Sequence, residues 1–492
     1  MVLLVESKPD YNNDFRAMIQ AFFANEKIVA VLPSEVAEYQ KGILQELRFI
    51  FTALFDEKHT KLKLEENGRV VFTAYVSGDY RNKNLFRNKI KLAAYRLISE
   101  YTGRTLPWGS LTGMRPTKIA SKSLEKGLGH MDIVDSYMDI YQTSEEKAEL
   151  AVTVAEREKQ ILSSVDPRED YCLYIGIPFC PSRCLYCSFT AYPIAFYKDK
   201  VDAYIDALIK ELQCIAFINR NKKLKSIYVG GGTPTAISAK SLERLLSEVE
   251  NYFDFSYLEE YTVEAGRPDS ITEEKLQVMK NHKVSRISIN PQTMKQDTLR
   301  IIGRAHTVDQ IHRAYRLARK VGFDHINMDI IAGLPKETPE DMRNTLAQLE
   351  KMGPESITVH SLALKRAARL SEEMEKYRGM IGNRTDIMLS LAQEKTHAMG
   401  LEPYYLYRQK NISGNLENVG YAKYGKECIY NILIIEERLD IWAAGAGAVT
   451  RKMHLDENGK VIATSRIEDV KDVDSYIERI DEMIERKQQG GN

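Results

Sequence analysis

Hydrophobic and polar positions follow two different rhythms along the chain. Through the first 165 residues the periods are mixed. LLVES reads as a strand and DFRAMIQAFFA as a helix. LKLEENGRVVFTAYV alternates on either side of Asn67-Gly68, a strong hairpin signal, and NKIKLAAYRLISEYTG carries apolar positions at helical spacing. A loop, LPWGSLTGMRPTK, leads into polar helical segments ending at SSVDPRED, whose proline and acidic residues mark a linker. The expectation is an N-terminal α/β domain over 1–165 with no catalytic motif. Within it, Gly113–Lys118 is weighed as a contact for an anionic partner against an ordinary surface loop.

From residue 171 the pattern becomes regular. Apolar strand-like runs fall at 172–179, 226–232, 260–266, 286–292, 325–333 and 356–364, each separated from the next by a segment of helical period. Six alternating units imply right-handed βαβ crossovers and a parallel sheet. Six units rather than eight predict an open, partial (β/α)6 barrel over 166–370. Beyond it the rhythm loosens into an α+β extension over 371–492. There a helix ends at EEKTHAMG and LEPYYLYRQ follows. IYNILIIEERLDIWAAGAGAV is read as apolar strands, and Asn458-Gly459 marks a second hairpin. The charged tail 467–487 is expected to be a solvated helix face.

Composition narrows the function class. Basic and acidic residues balance at 69 each, which speaks against a general nucleic-acid binder. No run approaches the length of a membrane span, and MVLLVESKPDYNND lacks the basic flank of a secretory signal. Six cysteines in 492 residues are too sparse for a disulfide scaffold, so a reducing, cytoplasmic setting is expected.

Three of those cysteines, Cys180, Cys184 and Cys187, stand within eight positions in IPFCPSRCLYCSF. They follow the first predicted barrel strand, at the end where barrel active sites are built. Thiolates are soft ligands that select iron–sulfur clusters, zinc or Cu(I). A cluster held by three thiolates keeps one iron open for a small molecule; a zinc site would need a distant fourth ligand. Cys172 sits at the far end of the same strand, roughly 20–25 Å from Cys180 at about 3.3 Å per residue. Cys214 falls in an apolar helical stripe as a small buried thiol, and Cys428 stays open as a ligand. The nine histidines form no metal-binding pair; His306 and His312 are read as surface residues of one helix. Glu264 and Asp329 place carboxylates in apolar strands, where burial is costly unless each is paired.

The C-x3-C-x2-C spacing, with Tyr186 before the last cysteine, resembles the radical S-adenosylmethionine superfamily. YIGIPFCPSRCLYCSF, YVGGGTPT, TVEAGRPD, SINPQTM, NMDIIAGLPKET and GAGAV resemble, in order, the oxygen-independent coproporphyrinogen III oxidase family. LPWGSLTGMRPTK and YRQKNISGNLENVGYAKYG are similar to its HemZ subgroup. The resemblance implies a [4Fe–4S] cluster on Cys180, Cys184 and Cys187 and S-adenosyl-L-methionine bound in two copies. It places Tyr174, Tyr186, Gly231, Glu264, Asp329, Ala363 and Val449 around the first copy or the cluster, and Gly232, Thr233, Gln292 and Arg304 around the second. It further implies decarboxylation of two propionates of coproporphyrinogen III to vinyl groups, giving protoporphyrinogen IX. The implied setting is a cytoplasmic monomer in haem biosynthesis, fed by a flavodoxin- or ferredoxin-type electron donor. For the anionic substrate, Arg183, Arg366 and Arg408 are the candidate cations. Two positions depart from the family pattern. Gly176 stands where a histidine is usual. Phe189 stands where active members carry a cysteine and the haem-chaperone relatives carry phenylalanine. A haem chaperone of the same superfamily therefore stands beside the oxidase reading, as does a radical enzyme with another substrate, such as a methyltransferase.

Overall fold

The computed structural model describes residues 1–23, 26–43, 47–56, 59–78, 82–189, 191–365, 368–380, 384–409 and 412–491. Two compact units emerge. One comprises Met1–Glu156 with Leu406–Asn418, the other Arg157–Tyr405 with Val419–Asn492.

The first unit is built on a five-stranded sheet of β1 (Val2–Glu6), β2 (Ile28–Val31), β3 (Phe49–Phe55), β4 (His59–Glu66) and β5 (Arg69–Ser77), in the order β2-β1-β3-β4-β5. The hairpin at Asn67-Gly68 joins β4 to β5, both turn residues taking the positive φ that a tight primed turn requires. Helices α1 (Asn12–Phe22), α2 (Val36–Ile43) and α3 (Lys83–Thr102) come from this part of the chain. Phe15, Met18 and Phe22 of α1 join Phe86, Ile90 and Ile98 of α3 in a core with Phe49 and Phe51. Strands β2 and β3 had no sequence signal recognised above, because both are short apolar runs without alternation. Three helices follow: α4 (Thr117–Glu125), α5 (His130–Tyr141) and α6 (Glu145–Leu162).

In the second unit the six parallel strands appear as β6 (Asp170–Ile177), then, after a two-residue pair β7 (Phe179–Cys180) and β8 (Tyr192–Pro193), β9 (Lys223–Gly231), β10 (Glu260–Gly266), β11 (Arg286–Ile289), β12 (Ile326–Ala332) and β13 (Ser356–Ser361). They lie side by side in chain order, all parallel. Their crossovers are α7 (Val201–Ile218), α8 (Ala239–Tyr252), α9 (Glu273–Asn281), α10 (Gln296–Ile301) with α11 (Val308–Val321), and α12 (Pro339–Met352). Both faces of the strands are covered, so their sequences are nearly continuous Val, Ile and Leu. The helix ends follow local chemistry. Thr307 and Gln310 form a capping box on α11, Thr338 and Asp341 on α12, and Gly322 and Gly353 end the same helices in the left-handed conformation.

After the short α13 (Arg369–Glu372) and α14 (Met374–Tyr377) and the longer α15 (Thr385–Ala398), the chain adds strands to both edges of this sheet. On one edge lie β14 (Glu402–Arg408) and β15 (Glu417–Ala422), the latter antiparallel to β13. On the other, β16 (Asp440–Ala444) runs parallel to β6 and is followed by the antiparallel hairpin β17 (Val449–Leu455) and β18 (Val461–Glu468). The full order is β14-β15-β13-β12-β11-β10-β9-β6-β16-β17-β18.

Two expectations are corrected here. IYNILIIE is helix α16 (Ile429–Glu436), not a strand; an apolar run of that length has no period to tell the two apart. Nor is the tail a solvated face. It forms α17 (Val473–Glu478) and α18 (Ile480–Gly491), and Lys487 lies fully buried between Glu211 at 2.6 Å and Asp469 at 2.7 Å. Glu211 also accepts from the Gly445 amide at 2.9 Å and from the Tyr476 hydroxyl. Charge patterning alone shows no partner on a helix more than 250 residues earlier.

Candidate functional site

The cysteine loop begins where β6 ends, and the tip of β9 closes over it. Gly232 N donates to Ile177 O at 2.7 Å and Thr233 N to Phe179 O at 2.8 Å. This approach explains the glycines. A Cβ on Gly231, whose φ is +111°, would stand 2.8 Å from Ile177 O; one on Gly232 would stand 2.6 Å from Phe179 O and 2.9 Å from Cys180 Sγ. Gly445 makes a similar approach to Gly176 on the other side of β6, where a Cβ would lie 2.5 Å from Gly176 O.

Cys180 and Cys184 are buried and Cys187 is half-buried. Burial pushes the Cys180 thiol up to about 11, with a hydrogen bond from Thr233 pulling the other way, and raises Cys187 as well. Thr233 Oγ1 lies 3.4 Å from Cys180 Sγ, and Arg267 Nη1 lies 4.0 Å from Cys184 Sγ. Arg267 is itself buried and fixed: it binds the Ser182 hydroxyl at 2.7 Å and forks onto Asp269 at 3.0 and 2.7 Å. The loop is anchored further by Leu185 N on Ile302 O and by Leu370 N on Leu185 O, both 2.9 Å. Among the described residues no three His, Cys, Asp or Glu side chains converge on a single metal ion. A four-iron cluster makes no such demand, since each thiolate binds a different iron. Soft donors on one loop, with a hydroxyl and a guanidinium turned toward the sulfurs, fit such a group.

Beside the loop, Arg304 is buried and donates from Nη1 to Asn290 O at 2.6 Å and from Nη2 to the Tyr186 hydroxyl at 3.0 Å. Gln292 has φ +65°, bridges to β12 through Asp329 O and Ile331 N, and leaves its buried Oε1 without a partner. An orphaned buried acceptor just past the C-terminal end of β11 is a place for a ligand's donor.

A second layer crosses the strands. Tyr174, Tyr228 and Tyr430 stack, with Tyr174–Tyr228 and Tyr174–Tyr430 centroids 6.2 Å apart and Tyr228–Tyr430 4.5 Å apart. The Tyr228 hydroxyl donates to Glu264 Oε1 at 2.5 Å. Burial pushes the Glu264 carboxyl up to about 7, against the pull of that hydrogen bond and helped by the neighbouring Asp329. Asp329 moves the opposite way: burial would raise it, but His360, at 3.8 Å, and Asn327, at 2.6 Å, hold it below the usual range. Two carboxylates on β10 and β12, with β11 between them, are thus shifted in opposite directions.

Of the other residues singled out by sequence, Ala363 lies half-buried two residues past β13, and Val449 opens β17 opposite Glu468. Arg183 sits half-buried in the cysteine loop, and Arg366 lies outside the described residues. Arg408 is corrected. Its guanidinium is buried in the first unit and given to the carbonyls of Leu111, at 3.0 Å, and Gly113, over the Trp108 ring. Cys428 is removed as a ligand candidate, because its thiol donates to Glu260 at the opening of β10 at 3.3 Å. His306 is not a surface residue of a helix; it is fully buried ahead of α11, 3.8 Å from Asp269. Cys214 is half-buried rather than enclosed. Sequence reading passed over Arg267 and Tyr228. Arg267 directly follows the Glu264 strand, and Tyr228 shares strand parity with Gly230, so both had a positional signal. Tyr430, on the misread helix, had none.

Comparison with known proteins follows this geometry. The Radical SAM superfamily matches residues 174–349. The chain is 40% identical to the oxygen-independent coproporphyrinogen-III oxidase-like protein HemZ of Bacillus subtilis over 84% of its own length and 83% of that protein's. It is 31% identical to the heme chaperone HemW of the same organism over 56% of its length and 69% of that protein's. Among solved structures, coproporphyrinogen III oxidase (HemN) from Escherichia coli, a radical SAM enzyme, superposes with a TM-score of 0.52 at 20% identity, covering 66% of this chain and 72% of that one. No helix among the described residues is long and apolar enough to cross a membrane.

Proposed function

The chain belongs to the HemZ family of oxygen-independent coproporphyrinogen-III oxidase-like proteins in the radical SAM superfamily, and on that premise we propose that it decarboxylates coproporphyrinogen III oxidatively to protoporphyrinogen IX. The observation that carries this reading is the junction of the cysteine loop with the glycine tip of β9, where Gly232 and the Thr233 hydroxyl border the Cys180 sulfur. Cys180, Cys184 and Cys187 would hold the [4Fe–4S] cluster that the superfamily implies. When bound, that cluster would supply the electron that splits S-adenosylmethionine into methionine and a 5′-deoxyadenosyl radical; hydrogen abstraction from the propionate β-carbon, then loss of CO2 and of one electron to an acceptor, would leave the vinyl group. The chain's own residues orient and exclude. Gly231 and Gly232 let the tip of β9 pack directly on the cysteine loop and so fix its position, and Tyr174 offers an aromatic face. Glu264 and Asp329, on β10 and β12, present carboxyl oxygens to hydroxyl or amine donors, Glu264 holding its proton more tightly than Asp329. Gln292 and Arg304, with Thr233, would receive a second S-adenosylmethionine. The electrons would come from a flavodoxin- or ferredoxin-type donor.

A second reading has its own support. Phe189 is 64% exposed, with the Lys365 ammonium 5.4 Å above its ring, and the chain also resembles heme chaperones. A chaperone would bind haem stoichiometrically and form no vinyl product. The deciding experiment is anaerobic. Reconstituted protein, dithionite, S-adenosylmethionine and coproporphyrinogen III are incubated and the porphyrins separated. Monovinyl and divinyl products are expected. Formation of 5′-deoxyadenosine with neither product would overturn the oxidase reading.

A further inference from the structure

The strands' other ends frame a second cavity, far along the barrel from the cysteine loop. The turns leading into β10, β11 and β12, together with the segment before α16, enclose about 490 Å³ lined by Glu259, Glu260, Lys280, Lys283, His325 and Lys426 among others. That is within the range of small-molecule sites, about 300–1,000 Å³. None of these residues takes part in the chemistry proposed above.

The charges of this lining are unequally matched. Glu259 is neutralised by Lys225 at 2.5 Å, and Glu427 by Arg157. Glu260 is occupied by the Ile429 amide at 2.7 Å and the Cys428 thiol at 3.3 Å. Among the described residues Asp324 pairs with Lys426, at 3.6 Å. The lysines are less well answered. Lys280 gives its ammonium to the Gly322 carbonyl at 2.8 Å and lies over the Phe323 ring, while Lys283 lies over the Phe255 ring with Glu250 3.9 Å away, so among the described residues neither meets a carboxylate at hydrogen-bond distance. Behind the lining, Arg286 is fully buried with its Nε unpartnered. Most telling is His325. It lines the cavity, is 8% exposed, and its Nε2 has no hydrogen-bond partner. An unanswered buried ring nitrogen in a cavity that also holds the Lys280 and Lys283 ammonium groups, with its carboxylates engaged elsewhere, marks a place for a ligand. A metal ion does not fit, since no three ligating groups converge here among the described residues.

We infer that this cavity binds a small phosphomonoester. Its oxygens would accept from Lys280, Lys283 and Lys426 as charge-assisted hydrogen bonds. The His325 ring also bonds the Lys426 backbone, so with Nε2 unpartnered it is Nδ1 that donates and Nε2 that carries the lone pair. Near neutral pH a phosphomonoester exists partly with one P–OH, which can donate to that lone pair; an ionised carboxylate has no such proton. Phosphate alone would leave most of the cavity open, so the ligand carries an organic group.

The test uses the full chain and does not depend on cluster chemistry. Calorimetric titration compares glycerol 3-phosphate and inorganic phosphate with glycerol. Both phosphates are expected to bind saturably and glycerol not at all. Lys280→Ala and His325→Leu should each weaken phosphate binding at least tenfold, a loss of about 1.4 kcal/mol. Lys320→Ala, on the exposed face of α11, should not. Because His325→Leu alters a buried position, a second measurement uses the wild-type chain. Phosphate should protect Lys280 and Lys283 from acetylation, read by mass spectrometry, while leaving Lys320 reactive. Absence of saturable phosphate binding, unchanged affinity in Lys280→Ala, or equal acetylation with and without phosphate would each overturn the inference.

Discussion

One set of parallel strands carries thiols at both ends, and the two groups differ in their partners more than in their burial. At the C-terminal ends, Cys180 and Cys184 face donors: the Thr233 hydroxyl at 3.4 Å and the Arg267 guanidinium at 4.0 Å. At the N-terminal ends, Cys172 and Cys428 are wholly buried, and Cys428 instead faces an acceptor, the Glu260 carboxylate. Burial raises all of these thiols that shift, and Arg286 offsets only part of it at Cys428. A donor beside sulfur favours the thiolate that binds metal; an acceptor favours the thiol. Backbone tells the same story. Gly231 and Gly232 let the backbone of β9 close on the loop that carries Cys180, whereas Cys428 stands at the N-terminal cap of α16. If Cys180, Cys184 and Cys187 hold the proposed cluster, burial alone would not pick out the ligands; the polarity of the neighbour would.

The largest expected effect breaks this comparison directly. Cys184→Ala should lose the broad visible absorbance of the reconstituted cluster and reduce S-adenosylmethionine cleavage to background, while Cys172→Ala keeps both. A full cluster in Cys184→Ala would reverse the assignment of the two ends. Next comes the glycine tip. Gly232→Ala forces a methyl to within 2.6 Å of Phe179 O and 2.9 Å of Cys180 Sγ, so the loop must shift. A cost of about 1–3 kcal/mol in chemical denaturation is expected, with lowered cluster content. Gly113→Ala, where an added Cβ meets nothing within 4 Å, is the matched control and should be nearly neutral.

Much of this was legible in the sequence because the second unit obeys one rule throughout. Buried parallel strands read as apolar runs, helices between them carry capping boxes and terminal glycines, and all six strands fall where that alternation predicts. The cysteine spacing and the Gly231-Gly232-Thr233 tip were equally visible, since tight backbone approach needs glycine whatever the ligand. Partners distant in sequence were hidden. Nothing local marks Lys487 as the mate of Glu211, Arg408 as a brace for the Leu111 and Gly113 carbonyls, or Tyr430 as the third ring beside Tyr174. Helix α16 was misread for the related reason that its hydrophobicity has no polar face. The added strands β16 to β18 extend the sheet past β6, a topology that local periodicity does not encode.

A smaller effect sharpens the contrast within the barrel layer. Glu264 has a folded value of about 7, above the 4.5 of an exposed glutamate. The folded chain therefore holds this proton more tightly than the unfolded chain. The resulting stabilisation is complete below a pH of about 4.5 and is lost as pH rises through about 7. Glu264→Gln stays neutral and keeps an acceptor for Tyr228. Its stability relative to wild type should rise by about 2 kcal/mol between pH 5 and pH 8. A pH-independent difference between the two proteins would mean that Glu264 is ionised throughout.

The smallest effect belongs to the other end of the strands. Cys428→Ser replaces a thiol that donates to Glu260 Oε1 with a hydroxyl able to do the same, and Glu260 keeps its bond from the Ile429 amide at 2.7 Å. The shorter, more polar side chain packs slightly less well, at a cost of about 1 kcal/mol or less. Cluster content and S-adenosylmethionine cleavage should match wild type. The same exchange at Cys184 presents oxygen where soft sulfur is required, and it should lose the cluster. Serine therefore separates the two ends by chemistry rather than by size. If Cys428→Ser also lost the visible absorbance, neighbour polarity would not be the property that distinguishes them.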